Sequence, residues 1–427
     1  MKRLFITYPS DKLWLLTSYD RLAVAASYEP LPNPAQVTSV RNPKLPRMLS
    51  PLLFPISQSL TLHNIIKRGV DLVRKHKIEL IITAPWSDYC IAAHEIQRTV
   101  GVPLAVYMMD DWLWDQLEKV TTQNDRRRNR KTALAYTNST HRPSASFLGG
   151  LLLRLQTAQK LRRYQIHMPL VLQQAAKVWS ITEYMSDFLR YVFHVQSEVL
   201  LPFIDVREFR QLCITDTIKH NNEIKLVFTG NIYEAQLDAL QNLVNLIRSG
   251  VLMDTLRRPV RLQLYTNTDA ATLKSYGLYG DSISSTYIHP SHIPHALASA
   301  DALFLPFSFS PNVEHLIRTS FPTKAAEYFS SGVPILVHGP SYSSIARYFR
   351  QHEAGVVVTE NSLAALQQGM IQLFTDEHLR RDITSNAFAT ALRAHDSYTL
   401  VAQVHNTLSE IVRQTVHPSG GTSERGR

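Results

Sequence analysis

The sequence predicts an α/β protein made of two doubly wound parallel-sheet domains. Both halves alternate short apolar runs with segments of helical spacing, the pattern of strands joined by crossover helices. A polar stretch over residues 206–222, with His220, Asn221 and Asn222 as a turn, reads as an irregular linker, and the alternation starts afresh beyond it. At 427 residues, each half is long enough to bury a core of its own.

In the first half, Arg3–Thr7 reads as the opening strand. The N-terminus begins MKRLFITYPS, and Tyr8 to Lys12 interrupt the apolar run, so a strand is favoured over an export signal. Helical spacing over Leu62–Lys75 leads to a strand at Glu79–Ala84. A helix over Asp88–Val100 stops at Gly101, and a strand over Val102–Met108 runs on to Asp110, Asp111 and Trp112. Residues 122–145 form a polar, basic excursion, and 146–177 one or two long helices. A strand at Lys177–Thr182, a helix from Glu183 and a strand at Val199–Phe203 complete this half.

In the second half, the expected strands are Ile224–Thr229 (ending at Gly230), Arg261–Thr266, Thr286–His289, Ala302–Pro306 and Gly355–Val358. The expected helices are Leu237–Arg248, Ile293–Ala300 and Ser362–Phe374, with a long final helix over Ser397–Gln414. The polar tail 415–427 is expected to be disordered.

Composition sets outer limits. Hydrophobic residues are 44% and charged residues 19%, as in ordinary globular chains. No apolar run approaches the roughly 20 residues that span a bilayer. Cys90 and Cys213 have no metal-ligand spacing and read as reduced thiols of a cytosolic protein. The net charge of +10 concentrates at Arg126, Arg127, Arg128, Arg130 and Lys131, then at Arg154, Lys160, Arg162 and Arg163. No nucleic-acid motif accompanies these clusters, so nucleic acid is not the expected partner. Leu148, Leu151, Leu152 and Leu155 share a helical face beside the second cluster. Two readings stay open there: a helix packed into its domain, or a basic amphipathic helix on an anionic membrane surface.

The segment of sharpest chemistry is Thr319–Pro340, TSFPTKAAEYFSSGVPILVHGP. Pro322 and Thr323 suit a helix start, with the Thr323 hydroxyl as a cap. Gly332 suits the helix stop, and Val333–Val337 a buried strand. The loop aims a helix N-terminus, with Lys324 in its first turn, at a site for phosphate. Glu327, one turn further, is placed to accept hydrogen bonds from sugar hydroxyls. Gly230, at the end of the first strand of the second half, allows close approach of backbone to a ligand.

Pro322-Thr323-Lys324-Ala325-Ala326-Glu327-Tyr328, followed by Gly332-Val333-Pro334, resembles the donor-binding element of GT-B glycosyltransferases of family 4 (group 1). The resemblance implies two Rossmann-like domains facing a cleft: residues 1–205 on the acceptor side, and 206–396 binding the nucleotide sugar. The final helix would pack back on the first domain. It further implies that Glu327 holds the ribose, that Lys324 stabilises the departing diphosphate, and that Thr319, Ser320, Phe321, Pro322 and Thr323 hold sugar and phosphate through backbone amides. Thr319 stands where the commoner pattern has a Glu. Gly230, Asn231 and Gln236 stand where most members have Gly-Arg and a Lys, and the Gly230 amide would face the diphosphate, with Arg318 as a possible second cation. His289 would lie along the base. Asp110 would serve catalysis on the acceptor side, with a helix-capping role as the alternative.

The implied activity is transfer of a hexosyl unit, with retention, from a nucleotide-diphosphate sugar to a glycan or lipid-linked acceptor in envelope or polysaccharide synthesis. No metal, cofactor or dedicated protein nucleophile is expected. The expected location is cytoplasmic, with a peripheral position on the inner membrane face as the alternative. A nucleotide-sugar epimerase and a non-catalytic binding module of the same architecture are the rivals.

Overall fold

The computed structural model describes residues 12–17, 37–40, 50–84, 87–109, 162–214 and 222–416. The chain groups into two compact units: one from Met1–Val199 and Val401–Arg427, the other Leu200–Leu400. The predicted opening strand at Arg3–Thr7, the Asp110-Asp111 pair, the basic cluster at Arg126–Lys131, the apolar face at Leu148–Leu155 and the tail from residue 417 lie outside the described residues.

In the first unit the elements are β1 (Leu15–Thr17), β2 (Val37–Ser39), α1 (Ser50–His76), β3 (Ile81–Thr83), α2 (Ser87–Val100), β4 (Leu104–Met108), α3 (residues 162–174), β5 (Lys177–Ser180), α4 (Glu183–Phe193) and β6 (Glu198–Val199). Strands β3 to β6 form a parallel sheet in chain order, and β1 pairs with β2 in a separate parallel ribbon. Every residue of β4 is buried, as expected of a strand covered on both faces. Leu104, Val106 and Met108 pack with Tyr164, Met168 and Leu172 of α3 and with Met185 and Leu189 of α4. The last strand is shorter and earlier than the sequence suggests, Glu198–Val199 rather than Val199–Phe203. Cys90 is buried and free, its thiol donating to the Ala84 carbonyl at 2.9 Å, and burial pushes it up to about 12.

In the second unit follow α5 (Val206–Ile214), β7 (Ile224–Thr229), α6 (Glu234–Arg248), α7 (Val251–Leu256), β8 (Val260–Tyr265), α8 (Ala270–Ser275), β9 (Ile283–Thr286), α9 (Ile293–Ala298), β10 (Ala302–Pro306), α10 (Glu314–Thr319), α11 (Lys324–Ser331), β11 (Ile335–His338), α12 (Ser344–Gln351), β12 (Val356–Val358), α13 (Leu363–Thr375) and α14 (Glu377–Ala394). A last helix, α15 (Ser397–Val416), starts in this unit and continues into the first.

The six-stranded sheet is parallel, in the order β12-β11-β10-β7-β8-β9. The chain winds outward from β7 in one direction and then from β10 in the other. The carboxyl ends of β7 and β10 therefore mark the switch point, where such sheets bind ligands. Phe228, Leu262, Leu264, Phe304 and Leu336 form its core with Leu240, Leu243 and Val244 of α6 and Leu366, Met370 and Leu373 of α13.

Two expectations are corrected here. Residues 206–214 are helical, not irregular linker: Asp205 Oδ1 accepts the Glu208 amide at 2.8 Å as an N-cap, and the helix buries Val206 and Cys213. The strand expected at Thr286–His289 lies three residues earlier, at Ile283–Thr286, where it pairs with Leu262–Tyr265. It forms an edge whose residues 284–286 are exposed, so no buried apolar run marks it in sequence.

Candidate functional site

The site begins at the turn after β7. Gly230 adopts φ 108°, a conformation that side chains with a Cβ rarely take. A Cβ there would lie 3.0 Å from Lys324 Nζ and 3.3 Å from its Cε. The absent side chain is thus the space that the lysine occupies. Lys324 is half-buried, and its ammonium sits 3.9 Å from the centroid of the Phe228 ring. The ring face is electronegative and attracts the cation. Loss of hydration outweighs that attraction and the pull of Glu327, and the ammonium is pushed from the ordinary lysine value down to about 7.

Tyr328 fixes this arrangement. It is fully buried, and its phenolic oxygen accepts the Thr229 amide at 3.0 Å and the Thr229 hydroxyl at 3.3 Å. Helix α11 is therefore tied, through its fifth residue, to the carboxyl end of β7, one residue before Gly230. Glu327 is half-buried and electrostatically coupled to Lys324. The helix ends at Gly332, φ 74°, as predicted. A Cβ at Gly332 would collide with the guanidinium of Arg210, which donates to the Ser331 carbonyl. Helix α5 thus caps the C-terminus of α11, a contact hidden in sequence because 206–214 reads as linker.

The sequence-predicted site residues divide into two groups. Lys324, Gly230 and Glu327 come together at the switch point. Asn231 is exposed beside them. The Gly230 amide does not face this space as expected; it donates to the Tyr265 carbonyl at 2.8 Å. Gln236 serves a helix start rather than a phosphate, its carboxamide accepting the Tyr233 amide at 3.4 Å. Arg318 is engaged by Glu314 Oε1 at 2.7 Å and stacks 4.3 Å from the Tyr342 ring centroid.

The loop residues are corrected in part. Thr319 is completely buried at the end of α10, its hydroxyl donating to the His315 carbonyl at 2.9 Å. The Ser320 amide donates to Leu316 O at 2.9 Å. Pro322 has no amide, and its carbonyl accepts from Ala325 N at 2.9 Å. Phe321 is packed inward against Tyr348 and His395. Thr323 is exposed with helical backbone, φ −57° and ψ −29°, and its hydroxyl caps nothing, because the capping geometry needs an extended residue. His289 is exposed and caps the short turn Pro290–His292, its Nδ1 accepting the Ser291 amide at 3.4 Å. Asp110 lies outside the described residues. Asp301 Oδ2 accepts the Lys225 amide at 2.8 Å, a structural role at the start of β10.

Sequence reasoning missed Phe228 and the role of Tyr328. Phe228 was readable: it lies two residues before Gly230 on a predicted strand, on the same face. Among the described residues, no group of His, Cys, Asp and Glu is placed to hold a metal, and no helix is long and apolar enough to cross a membrane.

Residues 270–390 match the family model described as glycosyl transferases group 1. No curated protein matches the chain by sequence. Among solved structures, Alr3699/HepE from Anabaena in complex with UDP aligns with a TM-score of 0.60 at 13% identity, covering 96% of this chain and 94% of that one. Sucrose-phosphate synthase from Thermosynechococcus elongatus aligns with a TM-score of 0.58 at 12% identity, covering 88% and 83%. A trehalose 6-phosphate synthase from Burkholderia multivorans gives 0.58 at 10% identity, covering 88% and 79%. Similarity at this level of identity establishes the shared two-unit Rossmann-like fold.

Proposed function

We propose that the protein transfers a hexosyl unit from a nucleotide-diphosphate sugar to a glycan or lipid-linked acceptor, with retention; the match of residues 270–390 to the group 1 glycosyltransferase model and the GT-B-like fold support this reading. The observation that carries the reading is Lys324. Its ammonium is held over Phe228 and against Gly230 at the switch point, with Glu327 one turn along the same helix. A diphosphate placed there would meet the lysine and the N-terminal end of α11. Charge developing on the leaving group is then stabilised by groups already in position. Glu327 would accept the ribose hydroxyls. UDP is the first nucleotide to test, since the similar Anabaena protein was solved with it. Asp110 is proposed as the acceptor-side carboxylate, and His289 as a neighbour of the base. The proposed setting is cytoplasmic, with the basic residues of the first unit resting on an anionic membrane surface during envelope or polysaccharide synthesis.

One observation favours a second reading. Thr319 is sealed in the core, so no carboxylate reaches the donor hexose from that position, and Asn231 and Gln236 supply no cation. A binding module that holds a nucleotide sugar without turnover is consistent with these substitutions. Incubation with UDP-hexoses and a mixture of glycan and polyprenyl-phosphate acceptors separates the cases. Acceptor-dependent release of free UDP supports transfer. An isomerised nucleotide sugar indicates an epimerase, and an unchanged donor with retained binding indicates the module.

A further inference from the structure

We propose that His395 is a positioning residue for the donor loop, coupling residues 320–323 to the two chain segments that pass between the units. The inference rests on the donor-site reading above and concerns a residue outside the group 1 motif.

His395 is fully buried between three elements. Its Nδ1 lies 2.6 Å from the Pro202 carbonyl, which can only accept, so the proton sits on Nδ1. Nε2 is then the acceptor, 3.1 Å from the Tyr348 hydroxyl. Both ring nitrogens are satisfied in one tautomer, with no freedom left to the ring. The ring stacks on Phe321 of the donor loop at 5.7 Å and 28°, and on Phe329 of α11 at 5.3 Å and 27°. Tyr348 closes the cluster edge-on, 5.1 Å from Phe321. The main chain adds a second tie: Ile204 N donates to His395 O at 3.0 Å, and Ser397 N to Ile204 O at 2.8 Å.

Pro202 and Ile204 follow the point where the chain leaves the first unit at Val199, and Ser397 precedes its return at Val401. The imidazole therefore contacts the first of these segments, the main chain of His395 and Ser397 is bonded to the same segment at Ile204, and the ring faces meet the loop that delivers Lys324. Phe321 is three residues before Lys324, the first residue of α11. A shift of His395 moves Phe321, and through it the start of α11. The loop's aromatic side chain faces this cluster, which gives Phe321 an anchoring role. Burial holds the ring neutral, down to about 4, so the tautomer persists at ordinary pH. Titratable neighbours are Tyr348 and His352, with Arg393 bonded to His352 Nδ1 at 3.1 Å and Asp396 next in sequence.

Hydrogen exchange on the full chain with UDP, GDP, ADP and CMP tests the coupling. The expected result is that the nucleotide slowing exchange across 320–328 also slows the Ile204 and Ser397 amides. The variant His395→Phe keeps the ring stacks but loses both ring hydrogen bonds. It is expected to keep slowing at 324–328, lose it at Ile204 and Ser397, and raise the donor KM about tenfold with the acceptor KM and kcat little changed. Slowing at 320–328 without any at Ile204 and Ser397 in the wild type would overturn the coupling while leaving the donor site intact. So would a variant with a lower Tm and an unchanged donor KM. If no nucleotide slows exchange anywhere, the donor site itself is wrong and the coupling falls with it.

Discussion

Lys324 is the residue on which the site turns. Its amine titrates near 7 in the free protein because desolvation removes more than Phe228 and Glu327 return. A diphosphate against it favours the charged form. Nucleotide binding at pH 8 is thus expected to take up close to one proton, and binding at pH 6 almost none. Calorimetry in two buffers of different ionisation enthalpy reads this directly, and Lys324→Met is expected to abolish the uptake. The linkage to folding has a definite sign. The folded value lies below the unfolded one, so the unfolded chain holds the proton between about 7 and the ordinary value of 10.5, and Lys324's contribution to stability rises with pH across that window. Gly230 is the second point of control. Gly230→Ala places a methyl 3.0 Å from Lys324 Nζ at φ 108°. The expected outcome is a loss of roughly 1–2 kcal/mol in urea unfolding from the strained backbone, together with weaker nucleotide binding as the lysine is displaced.

At the level of elements, the tie between β7 and α11 sets the geometry. Tyr328→Phe removes the acceptor of the buried Thr229 amide, and an unsatisfied buried donor costs about 1–3 kcal/mol. A lower urea midpoint with an unchanged slope is the expected result. The elements that form this site were readable from sequence for a physical reason. Strands β7 and β10 are continuous apolar runs ending at Gly230 and Pro306, and α11 lies between Pro322 and Gly332, residues whose backbone preferences mark ends. Helices α5, α12 and α14 begin instead at Asp205, Ser343 and Asp376, residue types equally at home in loops. Helix α14 buries only Ile383, Ala387, Thr390 and Ala391, mostly small side chains that leave a weak periodic signal. Helix α5 begins at an Asp205 cap that was overlooked because a linker was expected there. In the site, the motif gave Lys324, Gly230 and Glu327. It could not reveal that Phe321 faces inward, because that orientation is set by partners distant in sequence, Tyr348 and His395.

For the molecule as a whole, the proposal divides the work between two parallel-sheet units. The second unit contains residues 270–390, which match the group 1 family model, and the candidate donor site; the acceptor side is proposed for the first unit. Gly332→Ala probes how α5, the first helix of the second unit, supports that site. The new methyl meets Arg210 at a residue with φ 74°, so both stability and nucleotide affinity are expected to fall, whereas a purely surface role for α5 would leave affinity unchanged. The account's central claim is that Lys324 and Glu327 bind a nucleotide diphosphate at the switch point. A thermal-shift comparison of the wild type, Lys324→Met and Glu327→Ala against UDP, GDP, ADP and CMP tests it most directly, since a ligand that binds only the folded state raises Tm. The account predicts that one nucleoside diphosphate raises the wild-type Tm and that both substitutions cancel most of the rise. No rise with any nucleotide in a folded sample, or an undiminished rise in both variants, would contradict it.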